Sequence, residues 1–176
     1  MADRMIATAS QTIGPYWHLI EHKEMADLLR FGATGDAITV TGRVSDGAGQ
    51  LVTDAAIEIW QSDPPVSETF PAYGRSRTDA SGCFTFRTLK PGPVAGLGNA
   101  QQAPHLAITI MARGLLTALT TRLYFQNEPL NETDPVLSLI DDPARRATLI
   151  AHPTAPGSWH LDIRLQGENE TVFMEV

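Results

Sequence analysis

From Ile38 onward apolar and polar residues alternate with a period of two. Val40, Gly42 and Val44 interleave with polar positions, and Ile57 and Ile59 resume the alternation after Asp46-Gly47-Ala48-Gly49, a run with turn chemistry. Successive side chains of a strand point to opposite faces, so the pattern predicts a β pair, one face of it buried. Pro64, Pro65 and Pro71 remove backbone donors from the stretch Asp63 to Tyr73, which therefore reads as a surface loop. A second turn, Asp79-Ala80-Ser81-Gly82, precedes a strand with Phe84 and Phe86 on one side and Cys83 and Thr85 on the other, ended by Pro91-Gly92-Pro93. A glycine-rich loop leads through Ala103 to His105–Met111, where Leu106, Ile108 and Ile110 share a face. Leu119, Leu123 and Phe125 repeat the pattern with Arg122 and Tyr124 opposite them, and Trp159, Leu161, Ile163 and Leu165 alternate with His160, Asp162, Arg164 and Gln166. After a turn at Gly167 to Glu170, a last strand is expected to end in Val176.

Helical signals are sparse. The segment up to about residue 35 lacks alternation and reads as an N-terminal arm with one short helix candidate, Glu21 to Leu29. Asp142 is placed to cap a helix with Pro143 at its first position and the good helix formers Ala144 to Ala151 behind it. The expected fold is all-β: an antiparallel β-sandwich of about seven to nine strands with one or two short helices. It is expected to form a single domain over residues 1–176, the arm being 1–35 and the sandwich 36–176.

Composition narrows the partners. A chain of 176 residues, 43% of them hydrophobic, is enough for one core. Its net charge of −7 argues against a nucleic-acid or anionic-membrane surface, because the closest basic pair, Arg145-Arg146, stands isolated. Cys83, without a second cysteine, cannot form an internal disulfide, and MADRMIATAS lacks the apolar run of a signal peptide. A reducing, cytoplasmic setting is the expectation.

Self-contained chemistry finds little support. The histidines, His18, His22, His105, His152 and His160, are scattered; none pairs with another at i and i+2, and the position two after His105 is Ala107. A strand-end histidine bonded to a neighbour accounts for His105 more simply than a metal ligand does. There is no GxSxG elbow, Cys83 follows Gly82 at a turn, and Asp141-Asp142 read as a helix cap rather than an acid/base pair. Gly92, Gly96 and Gly98 do not form a phosphate cradle.

The order of longer motifs is more specific. SQTIGPY at Ser10 to Tyr16, TGRVSDGAGQLVTDAAIEIWQ, GRSRTDASGCFTFRTLKPG, APHLAITIMARG, TRLYF at Thr121 to Phe125, DPARRATLIA and LDIRLQGENETVFME run along nearly the whole chain. Together they resemble the intradiol ring-cleavage dioxygenases. Iron-binding members hold Fe(III) with two tyrosines and two histidines, and the resemblance maps these positions onto the chain. The tyrosine slot after the KPGP turn holds Val94, and the HxH slot reads His105-Leu106-Ala107. The remaining tyrosine belongs in the loop after Trp60-Gln61, where Tyr73 stands late. With at most half the ligands left, a ferric site should not retain metal.

The resemblance thus implies an iron-free, alpha-type subunit without catalytic residues of its own, paired with an iron-bearing beta subunit in a hetero-oligomer. The implied reaction is cleavage of 3,4-dihydroxybenzoate by O2 to 3-carboxy-cis,cis-muconate, an entry to the β-ketoadipate pathway of aromatic catabolism. Substrate-binding positions carried over are Thr12, Gly14 and Pro15 in the arm and Arg122 in TRLYF. Gly14 permits close backbone approach, Pro15 stiffens the arm, and a guanidinium complements a substrate carboxylate. Gly14-Pro15 as a plain turn and Arg122 as an interface salt bridge remain open. Two other readings of the whole chain stay open as well: a non-catalytic, transthyretin-like binding module, and an enzyme holding another metal through His105, Tyr73 and His160.

Overall fold

The alternating segments fold as strands in the computed structural model, which describes residues 21–96 and 98–174. The strands are β1 (Ala37–Ser45), β2 (Ala56–Trp60), β3 (Tyr73–Arg77), β4 (Cys83–Leu89), β5 (Val94–Ala95), β6 (Gln101–Gln102), β7 (His105–Met111), β8 (Leu119–Phe125), β9 (Ile150–Ala155) and β10 (Ser158–Arg164). Eight of them form one sheet in the order β3-β2-β7-β8-β9-β10-β1-β4, while β5 and β6 form a separate two-stranded hairpin. The all-β class is as expected, but the purely antiparallel sandwich is not: β1 pairs with β10, and β8 with β9, in parallel. The sheet is mixed and curls into a nearly closed, barrel-like wall around the main core. Local periodicity fixes which face of a strand is buried, but it carries no information on whether a distant partner runs parallel or antiparallel.

That core takes Val40 and Val44 from β1, Ile57 and Ile59 from β2, Phe84 and Phe86 from β4, Leu106, Ile108 and Ile110 from β7, Leu123 and Phe125 from β8, and Leu161 and Ile163 from β10. The two aspartate turns use one device. Asp46 Oδ1 accepts from the backbone of Ala48 and Gln50 at 2.9 and 2.8 Å, and Asp79 Oδ1 accepts from Ser81 and Cys83 at 2.8 and 2.9 Å. Gly42 matters for packing rather than flexibility. A Cβ there would collide with the Phe84 ring and stand 2.5 Å from the Leu161 carbonyl oxygen.

Outside the sheet two expectations change. The Glu21 to Leu29 helix candidate is only a 3-10 turn, Lys23–Ala26. Asp27 leaves helical geometry and forms a bridge with Arg87, and Leu28 donates its N–H to the Arg87 carbonyl at 2.8 Å while its side chain is buried. Docking the apolar Leu28 and Leu29 into the core outweighs local helix propensity here. The second helix, α1 (Pro143–Ala147), is capped as expected by Asp142, whose Oδ1 accepts from the Ala144 N–H at 2.8 Å. It stops before Ile150, because Ile150 and Ala151 are needed to pair with Tyr124 and Phe125 on β8. Among the described residues no helix is long and apolar enough to cross a membrane.

Two of the sequence motifs prove to be one structural unit. Gln61 is buried; its Nε2 donates to the carbonyls of Asp63 and Leu89 at 2.7 and 3.1 Å, and its Oε1 accepts from Thr88 at 2.7 Å. Asp63 Oδ1 in turn accepts from the Gly92 N–H at 2.9 Å, and a Cβ on Gly92 would lie 2.6 Å from that oxygen. Lys90 holds the same turn from its other side, with Nζ 3.3 Å from the Phe125 ring centre and 4.9 Å from that of Trp159. The Trp-Gln and Lys-Pro-Gly motifs are therefore tied together by side-chain-to-backbone bonds. Gly42→Ala should lower unfolding free energy by about 1–3 kcal/mol in denaturant titration, since a rigid carbonyl and a core ring must both shift; unchanged stability would show that the core yields there.

Candidate functional site

Strand parity sets a second face against the core. On β2, β3, β7 and β8 the residues pointing away from it are Glu58 and Trp60, Tyr73 and Arg75, His105 and Ala107, and Arg122 and Tyr124. The registers align Tyr73 with Trp60, Trp60 with Ala107, and Ala107 with Arg122 in one row across the sheet. His105 sits directly opposite Tyr124. Neighbouring strands lie about 4.8 Å apart, so Tyr73 and Arg122 are separated by roughly 14 Å of sheet.

The positions mapped onto iron ligands now have surroundings. Val94 pairs with Gln102 in the β5–β6 hairpin, and Ala107 lies between Trp60 and Arg122; neither side chain has a donor atom. His105 is the imidazole that remains. Its Nδ1 is 2.7 Å from the Ala103 carbonyl oxygen and therefore carries the proton, and its ring lies 5.4 Å from that of Tyr124. Burial depresses the His105 pKa below its ordinary value, and the charge of Arg122 pushes the same way, against the Ala103 carbonyl and Asp134. Tyr73 donates its hydroxyl to Glu58 Oε1 at 2.7 Å, the same oxygen that accepts from Arg75 Nε at 2.8 Å. Burial, reinforced by Glu58, pushes the Tyr73 phenol up to about 12. Val94 and Ala107 thus offer no ligand atom, and among the described residues no group of three or more His, Cys, Asp or Glu could hold a metal ion.

His160 is not brought to His105. It lies on β10, with β8 and β9 between it and β7 in the sheet order, its Nδ1 2.9 Å from Thr41 Oγ1 and its Nε2 3.2 Å from Asp162 Oδ1. Thr12, Gly14 and Pro15, with their neighbours Tyr16 and Trp17, lie outside the described residues.

Arg122 is half-buried on this face. Its Nη1 donates to Gln102 Oε1 at 2.7 Å and to the Tyr124 hydroxyl at 3.2 Å. Tyr124 donates on to Asp134 Oδ1 at 3.2 Å. Asp134 is fully buried and accepts three backbone N–H groups, from Ala103 at 2.7 Å, Val136 at 2.8 Å and Leu137 at 2.9 Å. Both acceptors of Arg122 are neutral, and its Nε and Nη2 donate to no described residue. The geometry therefore leaves a guanidinium with donors unused by the described residues, opposite Ala107 and bonded to Gln102, the partner of Val94. Gln102, Tyr124 and Asp134 carried no functional signal in the sequence beyond the strand parity that puts Tyr124 on the face of Arg122.

The profile of the dioxygenase family matches residues 14–167. The chain belongs to that family, in agreement with the intradiol motifs of its sequence. It is 38% identical to the protocatechuate 3,4-dioxygenase alpha chain of Pseudomonas putida, over 96% of both chains. It is also 32% identical to the protocatechuate 3,4-dioxygenase beta chain of Burkholderia cepacia, there over 63% of this chain and 54% of the other. Among solved structures, the dioxygenase domain of a dioxygenase and carbohydrate-binding protein fusion from Streptomyces sp. SirexAA-E matches with a TM-score of 0.62 and 31% identity, covering 89% of this chain and 96% of that one.

The lowered His105 pKa has a consequence for acid stability. The unfolded chain takes up a proton at about 6.5 while the folded chain resists it, so His105 costs stability as pH falls through that value. Denaturant midpoints measured from about pH 7 down to about pH 5 should fall less steeply for His105→Asn, which keeps a donor for Ala103, than for the parent. The difference in slope is at most about 1.4 kcal/mol per pH unit. Parallel slopes would mean that folding leaves this imidazole unperturbed.

Proposed function

We propose that this chain is the iron-free alpha subunit of a protocatechuate 3,4-dioxygenase, working in the cytoplasm with an iron-bearing beta subunit. The pair cleaves 3,4-dihydroxybenzoate with O2 between its two hydroxyl-bearing carbons to give 3-carboxy-cis,cis-muconate. The ferric ion belongs to beta, and this chain contributes walls and orientation to the substrate pocket through Thr12, Gly14, Pro15 and Arg122. The observation that carries this reading is Arg122: a half-buried cation whose Nε and Nη2 face no described acceptor, next to ligand positions occupied by Val94 and Ala107.

Three lines support it. The similarity to a protocatechuate 3,4-dioxygenase alpha chain extends over 96% of both chains. The likeness to a beta chain fits two subunits built on one duplicated scaffold. Finally, a guanidinium whose Nε and Nη2 donate to no described residue can take a carboxylate through paired, charge-assisted bonds, and 3,4-dihydroxybenzoate is a catechol that carries one. Small displacements of a bound reactant slow a reaction sharply, so orientation alone gives the alpha subunit a part in turnover.

Two measurements test this. Co-expressed with a beta-type subunit, the chain should purify as a stable complex; a well-behaved chain with no affinity for any such subunit would favour a binding module instead. In the complex, Arg122→Ala should raise KM for 3,4-dihydroxybenzoate by roughly tenfold or more with iron content unchanged, the loss expected for a hydrogen-bonded charge. Parent-like KM would remove Arg122 from the pocket.

A further inference from the structure

Arg122 does not hold itself in place. An arginine side chain has several freely rotating bonds, and ordering it in one direction carries an entropic cost unless neighbouring groups fix it. We infer that Asp134 and Tyr124, with Gln102, are positioning residues that aim the Arg122 guanidinium at the substrate carboxylate. This rests on the carboxylate role of Arg122 proposed above.

The direction of each hydrogen bond follows from the chemistry of its ends. Asp134 is surrounded by the N–H groups of Ala103, Val136 and Leu137, all donating to it, and an ionised carboxylate only accepts. The Tyr124 hydroxyl, 3.2 Å away, must therefore give its one proton to Asp134, which turns an oxygen lone pair toward Arg122 Nη1. Gln102 is oriented independently. Its Nε2 donates to the Ala95 carbonyl at 3.0 Å, which leaves Oε1 as the end that accepts from Arg122. Asp134 reaches this second acceptor as well, because the Ala103 N–H that it holds belongs to the residue following Gln102. One buried carboxylate thus orients one acceptor of Nη1 directly and anchors the backbone next to the other.

The surroundings keep the arrangement rigid. Tyr124 and Asp134 are fully buried, and Tyr124 packs with Ala103, Leu137 and Leu149 in an apolar cluster separate from the main core. Ala107, facing Arg122 across the ladder, offers only a methyl group and does not compete for the space of the guanidinium. With Nη1 committed to two neutral oxygens, Nε and Nη2 are the edge left for an incoming anion.

The test uses the co-expressed complex with its iron-bearing partner, and two substrates: 3,4-dihydroxybenzoate and a neutral catechol without the carboxylate. Tyr124→Phe removes a single oxygen and leaves the packing in place. It should raise KM for the carboxylated substrate by about threefold to tenfold, as expected for weakening one charge-assisted contact. The neutral catechol's KM, kcat and iron content should stay at parent values. Added to Arg122→Ala, it should produce no further rise, since the group being positioned is already gone. Gln102→Ala, on the partly exposed hairpin, examines the other acceptor without touching the buried cluster and must give the same split between substrates. If Arg122→Ala raises KM while Tyr124→Phe and Gln102→Ala do not, the positioning role is wrong and the carboxylate role stands. If Arg122→Ala itself leaves KM unchanged, the carboxylate role is wrong and the positioning role falls with it. An equal rise for both substrates would reveal general disturbance and also overturn the inference.

Discussion

The register between β7 and β8 is the constraint on which the site depends. It sets His105 against Tyr124 and Ala107 against Arg122, two steps of one antiparallel ladder. A slip of one residue in β8 would exchange its two faces, turning Arg122 toward Leu106 and Ile108 and Leu123 away from the core. The apolar side chains pointing inward from both strands prevent such a slip, so the core that stabilises the fold also fixes which residues share the outer face. The chemistry of the site is in this sense a by-product of packing on the opposite side of the same strands.

The scaffold of this family persists in the chain although Val94 and Ala107, at positions that the resemblance maps onto ligands, offer no ligand atom. The Lys-Pro-Gly turn, which in iron-binding relatives precedes a ligand, is secured here by Gln61, Asp63 and Lys90, all through contacts that involve no metal. At the positions that the resemblance maps onto a ligating tyrosine and a second histidine stand Val94, paired with Gln102, and Ala107, paired with Arg122. Arg122 and His105 also influence each other: the permanent charge of Arg122 helps keep His105 neutral, and a neutral His105 avoids repulsion of the cation beside it.

Much of the fold was legible from alternation. Phe84 and Phe86, Leu106 to Ile110, Leu161 and Ile163 all bury the faces that their spacing indicates, and the turns at Asp46 and Asp79 follow from side-chain chemistry contained within a few residues. The parallel pairings of β1 with β10 and β8 with β9 were not legible, because direction between distant strands depends on the path of the chain and not on any local period. Glu21 to Leu29 misled for a related reason: Leu28 fits against Gly74, a contact between segments far apart in sequence. At the site, family motifs drew attention to Val94, His105, Ala107 and Arg122. Asp134 gave no such signal. In NETDPV it has the look of an exposed turn residue, and only its long-range bonds to Ala103 and Tyr124 make it buried and consequential.

The central claim is that the reactive metal is held by a different polypeptide, and elemental analysis of the assembled complex tests it most directly. One iron per pair of subunits, unaltered when His105 of this chain is replaced by Ala and Tyr73 by Phe, is the predicted result. A second iron per pair, or iron lost on either replacement, would contradict it.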